Sequence, residues 1–544
     1  MKNRAGHFVT LVCAACAGWG LPAGACRGAE DAPHPALSPA GRGWGEGARQ
    51  AALEQAAASA DRIADRFERT WARYAIAEEW TCTDPARVAE LADKLESWTA
   101  KRDLLSLAMY AWGRKDPKAA ADWGLKFKQR TEGRLEARNA ALHYAVVGMA
   151  RQAPQLAEEL IWKNLEEEGW GGHPREAPMA AARELARTDP AAALALAEKI
   201  KLEGHRVDAL RGVLREWAAK DPQAAEKAFA GRNEETFRKF FPRDLAEGWA
   251  RKDPRAAAEY AKGVADRAVK VLALGHVAQE MARTDGKAAA ELCALFTALD
   301  TGKWHEQMAR LGKVVFEAGE AFARADPEAA VRWAASLPEG AGNYRRRAYD
   351  GVAAGWACRD AKAALSFYLS PVGDAGELAQ PAAKDKPAPS NRGTGAAFPA
   401  LARELAKADV PSALGLVGRA DSLVLKSNTI AAVAQEVARR DPAEAARIVE
   451  KWEGVTDYYT YRTGAAEAVA SAWATKDAKA AAAWAAKLEP TRDRLAALRA
   501  VAGQWVRRQP EEATAWAKSL SDPQESVYAL TGLASGLRGG DFGF

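Results

Sequence analysis

One short motif recurs through most of the chain and constrains the fold more than any other feature. A large apolar residue is followed by three residues, then Asp-Pro, then Ala-Ala and an aromatic residue, as between Trp112 and Trp123. The position of this Asp, here termed the cap position, recurs thirteen times in 544 residues and carries Asp at eleven of them, which predicts a repeat architecture. In chain order the cap positions are Asp84, Asp116, Ala153, Asp189, Asp221, Asp253, Asp285, Asp326, Asp360, Asp409, Asp441, Asp477 and Gln509.

The spacing of the cap positions indicates a packed unit of fixed size. Six of the twelve intervals equal the one from Asp84 to Asp116, which gives a minimum period of about 32 residues. The other six intervals are all longer, and the longest runs from Asp360 to Asp409. Loops accept extra residues at little cost, whereas a packed helix cannot lose a turn. The minimum interval is therefore the length of the packed unit, and the longer intervals are loop insertions.

The residue types at the cap position favour a helix–turn–helix unit. Asp is a preferred N-cap because its carboxylate accepts the free N–H groups of the first helical turn. Pro suits the next position, and the residue before Pro is pushed out of the helical region, which ends the preceding helix. Eight aspartates are therefore predicted structural N-caps: Asp84, Asp116, Asp189, Asp221, Asp253, Asp326, Asp441 and Asp477.

Helical periodicity flanks each cap position. Ala120, Trp123 and Phe127 share one helical face, and no segment shows the sustained alternation of a strand. A hairpin as short as the minimum interval cannot bury its apolar faces alone, so neighbouring hairpins must stack. The sequence predicts an all-α fold, a right-handed α-solenoid of about 13 helix–turn–helix repeats. We expect an open array with two free ends.

This pattern resembles helical-hairpin repeat proteins of the tetratricopeptide-like and HEAT-like kind over residues 50 to 540. The Gly and Tyr of the tetratricopeptide first helix are missing, and the minimum period is shorter than the usual tetratricopeptide unit. The resemblance implies a protein-binding or scaffold role. Eleven of the 19 tryptophans occupy two repeat positions, four before and seven after the cap position, where other repeats carry other large apolar residues, apart from one alanine. Such interchange is typical of a core.

The first residues predict export. Lys2 and Arg4 precede an apolar stretch that ends in a small-residue cleavage pattern at Ala23 to Ala25. The predicted order is a signal peptide over 1–25, a Pro- and Gly-rich disordered tether over 26–48, a first array over 49–370, a Pro-rich loop or hinge over 371–399 and a second array over 400–544. We expect a periplasmic or cell-surface protein without a transmembrane segment, and a lipid anchor at Cys26 is the less favoured alternative.

Basic residues precede the cap position in most repeats, and in a solenoid they would align along one edge. This basic ridge consists of Arg114, Lys115, Arg251, Lys252, Arg439, Arg440, Arg507 and Arg508. Cations at a helix C-terminus are also favoured by the helix dipole, and this purely local role is favoured over the alternative of binding an anionic partner. The net charge of only +5 does not favour a dedicated nucleic-acid protein.

No catalytic or metal motif stands out. The histidines lack ligand spacing, and no phosphate-binding loop or nucleophile elbow is present in the sequence. We therefore expect no cofactor, no metal and no catalysis. The leading hypothesis is an exported repeat scaffold for protein–protein or protein–envelope interactions, with partners that the sequence does not identify. Two alternatives stay open: an envelope glycan-active enzyme built on α/α hairpins, and a binder of an anionic envelope polymer through the basic ridge.

Overall fold

A computed structural model of the chain contains 28 α-helices and no strand among the residues it describes. These residues are 46–81, 83–95, 98–131, 135–164, 177–232, 234–300, 305–338, 343–369, 397–420, 422–451 and 463–537. The predicted all-α class is confirmed. The predicted signal peptide and almost all of the Pro-rich loop lie outside the described residues.

The chain divides into two compact units, and their boundaries fall within two helices, α10 (Glu203–Ala218) and α24 (Thr463–Ala474). The first unit comprises Met1–Ala209 and Trp473–Phe544. Its other helices are α1 (Glu46–Ala60), α2 (Arg66–Thr81), α3 (Pro85–Asp93), α4 (Trp98–Lys115), α5 (Pro117–Arg130), α6 (Leu135–Met149), α7 (Pro154–Asn164), α8 (Ala177–Ala186), α9 (Pro190–Glu198), α25 (Ala478–Ala485), α26 (Arg492–Trp505), α27 (Pro510–Ser519) and α28 (Pro523–Gly536).

The second unit comprises Leu210–Ala472. Its other helices are α11 (Pro222–Phe229), α12 (Glu235–Ala250), α13 (Pro254–Gly263), α14 (Arg267–Met281), α15 (Gly286–Leu299), α16 (His305–Ala325), α17 (Pro327–Ser336), α18 (Tyr344–Ala357), α19 (Ala361–Tyr368), α20 (Ala397–Ala406), α21 (Val410–Arg419), α22 (Leu423–Arg440) and α23 (Pro442–Lys451).

Helical hairpins follow one another along each unit. From α2 onward an even-numbered helix ends before each cap position, and an odd-numbered helix begins directly after it, as α13 begins at Pro254 after Asp253. Each odd-numbered helix packs on the even-numbered helix before it, the one after it, or both. This arrangement buries the apolar face of every hairpin against its neighbours.

Aromatic pairs join the two helices of individual hairpins. The residue four before the cap position packs on the aromatic residue seven after it, with ring centroids 5.4 to 6.4 Å apart. The pairs are Trp112–Trp123, Trp249–Tyr260, Phe322–Trp333, Trp356–Phe367, Trp473–Trp484 and Trp505–Trp516. None of these rings belongs to an exposed residue. The repeat tryptophans are thus part of the hairpin core.

Successive even-numbered helices pack directly against one another from α26 through α28 and α2 to α8 in the first unit, and from α12 to α22 in the second. In the second unit α10 also contacts α12, where a Cβ atom at Gly248 would lie 2.4 Å from the backbone oxygen of Arg215. At Gly351 on α18, a Cβ atom would lie 2.1 Å from the backbone oxygen of Phe316 on α16. No side chain fits at that distance, so glycine is required there. These even-numbered helices therefore form a continuous layer within each unit.

The helices before and after the predicted Pro-rich loop over 371–399 belong to one compact unit, in which α18 and α19 pack on α20. An insertion between two hairpins lengthens the connection without interrupting their stacking. Helix α1 begins at Glu46, near the end of the predicted tether over 26–48, most of which lies outside the described residues.

The two ends of the array meet in the first unit. Helix α28 packs against both α1 and α2, so α1 takes the place that an odd-numbered helix has between two successive even-numbered helices. Ser59 Oγ lies 3.4 Å from Ser526 Oγ, and the Gln524 amide donates to Glu68 at 2.7 Å. The Arg499 guanidinium on α26 also lies 3.1 Å from the buried Glu79 carboxylate. The expectation of an open array with two free ends is therefore wrong.

Candidate functional site

The eight aspartates predicted as N-caps all accept hydrogen bonds from the first turn of the following helix. In each case a carboxylate oxygen receives the backbone N–H three residues on, at 2.9 to 3.1 Å. These residues are Asp84, Asp116, Asp189, Asp221, Asp253, Asp326, Asp441 and Asp477. Their carboxylates are therefore engaged in holding the hairpins together.

The basic-ridge residue next to each cap position bridges two consecutive repeats. Its side chain donates to a backbone carbonyl at the C-terminal end of the even-numbered helix of the previous repeat. The bonds run from Lys115 to Thr83 (2.6 Å), from Lys252 to Lys220 (2.6 Å), from Arg440 to Lys407 (2.7 Å) and from Arg508 to Thr475. Carbonyls at a helix end lack intrahelical partners, so these cations satisfy them across the repeat interface.

The basic-ridge residue two positions before the cap position also forms hydrogen bonds, ion pairs or ring contacts with neighbouring residues of the chain. Arg251 donates to the Arg215 carbonyl at 2.9 Å and lies 3.4 Å from the Glu216 carboxylate. Arg439 pairs with Glu436 at 2.9 Å, and Arg114 stacks over the Tyr110 ring at 5.9 Å. Burial lowers the pKa of Arg507. These contacts give the ridge a structural role within and between repeats.

Buried polar residues concentrate on the even-numbered helices. Of the sixteen polar or charged residues that are buried in the described parts of the chain, thirteen lie on even-numbered helices and two lie on α1. Burying a polar group is costly unless it is hydrogen-bonded. The even-numbered layer is therefore the first place to expect a functional site.

One of these residues is Asp244 on α12, whose side chain is fully buried. It accepts from Arg211 Nε at 2.6 Å, from Arg215 Nη1 at 3.1 Å, and from two nitrogens of Arg243. Burial raises the pKa of Asp244, but these three arginines outweigh burial and hold it below its usual range. One ionised carboxylate thus fixes three guanidinium groups.

A second chain of contacts continues across α14 and α16. Arg310 Nη2 on α16 donates to Nδ1 of His276 at 2.9 Å, which leaves the proton of a neutral imidazole on Nε2. That nitrogen lies 3.6 Å from a carboxylate oxygen of Glu247. Burial and the nearby Arg310 and Arg243 lower the pKa of His276 to about 4, although Glu247 opposes them. The imidazole is therefore neutral at neutral pH.

We call this set the arginine cluster: Arg211, Arg215, Arg243, Asp244, Glu247, His276 and Arg310. It draws on four successive even-numbered helices, α10, α12, α14 and α16, all through residues of the second unit. It holds four permanent cations and two carboxylates. Its charge is therefore positive, and Asp244 is buried beneath the arginines.

None of these residues was a candidate from the sequence, although a signal was present. Asp244 and His276 each lie nine residues before a cap position, Asp253 and Asp285 respectively. A polar residue at a buried position of a repeat departs from the apolar pattern, and such departures indicate functional or strained sites.

No protein-family model matches the sequence, and no curated protein is similar enough to count as a relative. Within the described ranges, no three histidine, cysteine or acidic side chains converge as metal ligands would. No described helix has both the length and the apolar character needed to cross a bilayer.

Proposed function

We propose that the protein is an exported, non-catalytic scaffold of the right-handed α-solenoid type, which binds a protein or another component of the cell envelope. The observation that carries this proposal is the arginine cluster, in which α10, α12 and α16 present fixed cations and α14 supplies the neutral His276. Arginines held in place lose little entropy when they bind an anionic group. Stacked hairpins commonly use such repeated surfaces for binding.

The state of the titratable groups favours binding over catalysis. A general acid or base needs a pKa near the working pH and a free site for its proton. Asp244 has a lowered pKa and accepts four hydrogen bonds, so it stays ionised and occupied. His276 has contacts at both ring nitrogens and a pKa of about 4. These groups are suited to positioning the arginines.

The alternative of a glycan-active enzyme has less support. A glycosidase pairs two carboxyl groups, one of which has a raised pKa. Burial raises the pKa of Asp103 and of Asp350, but the described groups that act on them are arginines and a tyrosine in each case, not a second carboxylate. The alternative of an anionic polymer on the basic ridge is weakened by the carbonyl bonds of Lys115, Lys252 and their counterparts.

The export part of the proposal rests on the sequence before Glu46, where Lys2, Arg4 and the small residues Ala23 to Ala25 form a signal-peptide pattern. Fractionation of cells that produce the full chain tests it. We expect the protein outside the cytoplasm and shortened by the leader.

The binding function is tested with the purified, immobilised protein and the envelope fraction of the producing cells. We expect saturable retention of a defined component, identified by mass spectrometry and competed by soluble protein. In a parallel arm the protein is incubated with purified envelope glycan, and new reducing ends are measured. Release of reducing ends, or the lack of any saturable binder, would contradict a non-catalytic scaffold.

A further inference from the structure

Arg310 interacts electrostatically with Glu247 but has no described ion pair with a carboxylate oxygen at direct-contact distance. Its one described hydrogen bond goes to Nδ1 of the neutral His276, and the residue is exposed. The imidazole therefore orients the guanidinium without neutralising it. An oriented arginine with unused N–H donors is a strong site for an anionic group, because a planar carboxylate can accept two parallel hydrogen bonds from it.

Neighbouring cations make this position more favourable for an anion. Although part of the residue is exposed, partial desolvation of the guanidinium lowers the pKa of Arg310; Glu247 opposes this effect, and repulsion from Arg243 and Arg215 adds to it. A bound anion would relieve this repulsion among three guanidinium groups. Glu247 is the resident anion that faces Arg310, and about a quarter of its side chain, 28%, remains exposed.

The chemistry of the cluster favours a carboxylate ligand. Its arginines already bind the side-chain carboxylate of Asp244, and Glu247 lies among the same groups. Phe240 extends the surface along α12, with Arg211, Arg243 and the exposed Lys239 within 4.9 to 5.6 Å of its ring. A flexible segment with several acidic side chains could contact both parts of this surface.

We infer that the arginine cluster is the docking site for an acidic polypeptide segment of a partner protein, whose carboxylate binds Arg310 in competition with Glu247. The inference rests on the proposed binding function and names the chemistry of its partner. Charge complementarity accounts for the choice of partner, since the surface is cationic and its internal ligands are carboxylates.

Two substitutions with opposite expected effects test the inference. The probe is a fluorescent oligoglutamate peptide, and its affinity for the full chain is measured by anisotropy at several salt concentrations. Arg310→Gln should weaken binding about tenfold, because it removes the oriented charge. Glu247→Gln should strengthen binding several-fold, because it removes the competing carboxylate. A variant that merely misfolds cannot bind more tightly, so the second substitution keeps the test decisive.

Matched controls come from exposed residues on odd-numbered helices of the same unit. Arg332→Gln on α17 and Glu291→Gln on α15 make the same charge changes away from the cluster. Both should leave the affinity for oligoglutamate within about twofold, as expected for screened surface charges. Equal effects of Arg310→Gln and Arg332→Gln, or no gain from Glu247→Gln, would overturn the inference.

A competition experiment distinguishes the acidic polypeptide from an anionic polymer. Inorganic polyphosphate of equal total charge is added to the labelled peptide. If it displaces the peptide more strongly than unlabelled oligoglutamate does, and the effect depends on Arg310, the occupant is a phosphorylated polymer and the inference is wrong. If a partner captured from the envelope binds the wild type and Arg310→Gln equally well, the scaffold function is supported but this docking site is refuted.

Discussion

Replacing Asp244 with asparagine should destabilise the second unit strongly, because the change is small in volume and large in charge. The carboxylate is fully buried and accepts hydrogen bonds from Arg211, Arg215 and Arg243. In Asp244→Asn an amide N–H₂ would face these donors, and three guanidinium groups would lose their counter-charge. Removing one partner of a buried ion pair costs about 3 to 5 kcal/mol.

The solvent exposure of the three arginines determines where in this range the loss of stability lies. Their side chains keep 14 to 25% of their surface exposed, so water can solvate part of the uncompensated charge. We therefore expect a loss of about 3 kcal/mol in the local free energy of unfolding. The stabilisation by ionised Asp244 is present above its ordinary pKa of 3.8 and is lost as the pH falls through its lowered native value. The difference in local free energy of unfolding between the wild type and Asp244→Asn should thus become smaller only in strongly acid solution.

Hydrogen–deuterium exchange with mass spectrometry suits this measurement, since it reports local opening and a chain of two units need not unfold in one step. Amides of α10 and α12 should exchange about a hundredfold faster in Asp244→Asn than in wild type. Asp253→Asn is the matched control, because asparagine caps a helix as well as aspartate does, so the change should be under about 0.5 kcal/mol. An acceleration below tenfold in Asp244→Asn would refute the ion-pair account of the cluster.

Three further predictions concern other features. His276 has a native pKa of about 4 against an unfolded value near 6.5, so the free energy of unfolding should fall by up to about 3 kcal/mol as the pH drops across that range, measured by denaturant titration. His276→Asn should abolish this slope. Gly351→Ala should cost about 2 kcal/mol or more by forcing α16 and α18 apart, whereas Gly415→Ala, with nothing near its Cβ position, should stabilise by up to about 1 kcal/mol in the same assay. Ending the chain at Leu520 should remove exchange protection from α1 and α2 but leave that of α14 unchanged.

The hairpins could be predicted from the sequence because local rules determine them. An Asp-Pro pair ends one helix and begins the next through contacts within four residues, and α13 begins at the expected Pro254 for that reason. The aromatic pairs follow from the same register, since Trp249 and Tyr260 lie at fixed distances from one cap position.

The candidate site could not be predicted in this way, because its members come from separate repeats. Arg211 and Arg310 both belong to the arginine cluster only because successive hairpins stack in register. The apolar periodicity within a single helix does not determine how that helix stacks on other repeats. The carbonyl bond from Lys252 to Lys220 spans one whole repeat, so reading one helix at a time assigned Lys252 to its own helix dipole. Helix α1 precedes the first cap position and lacks the motif, so nothing in its sequence indicated that it packs on α28.

The pairing of α1 with α28 has a consequence for how the chain reaches its native state. Ser59 and Ser526 are 467 residues apart, so this contact closes a very long loop. The chain loses the conformational entropy of that loop before the contact contributes any stability. During synthesis α1 is made long before α28, the helix that packs on it. During that interval the buried face of α1, with Leu53 and Ala56, is open to other chains. Helix α28 therefore completes the packing of α1, and until α28 is available the apolar face of α1 can make intermolecular contacts.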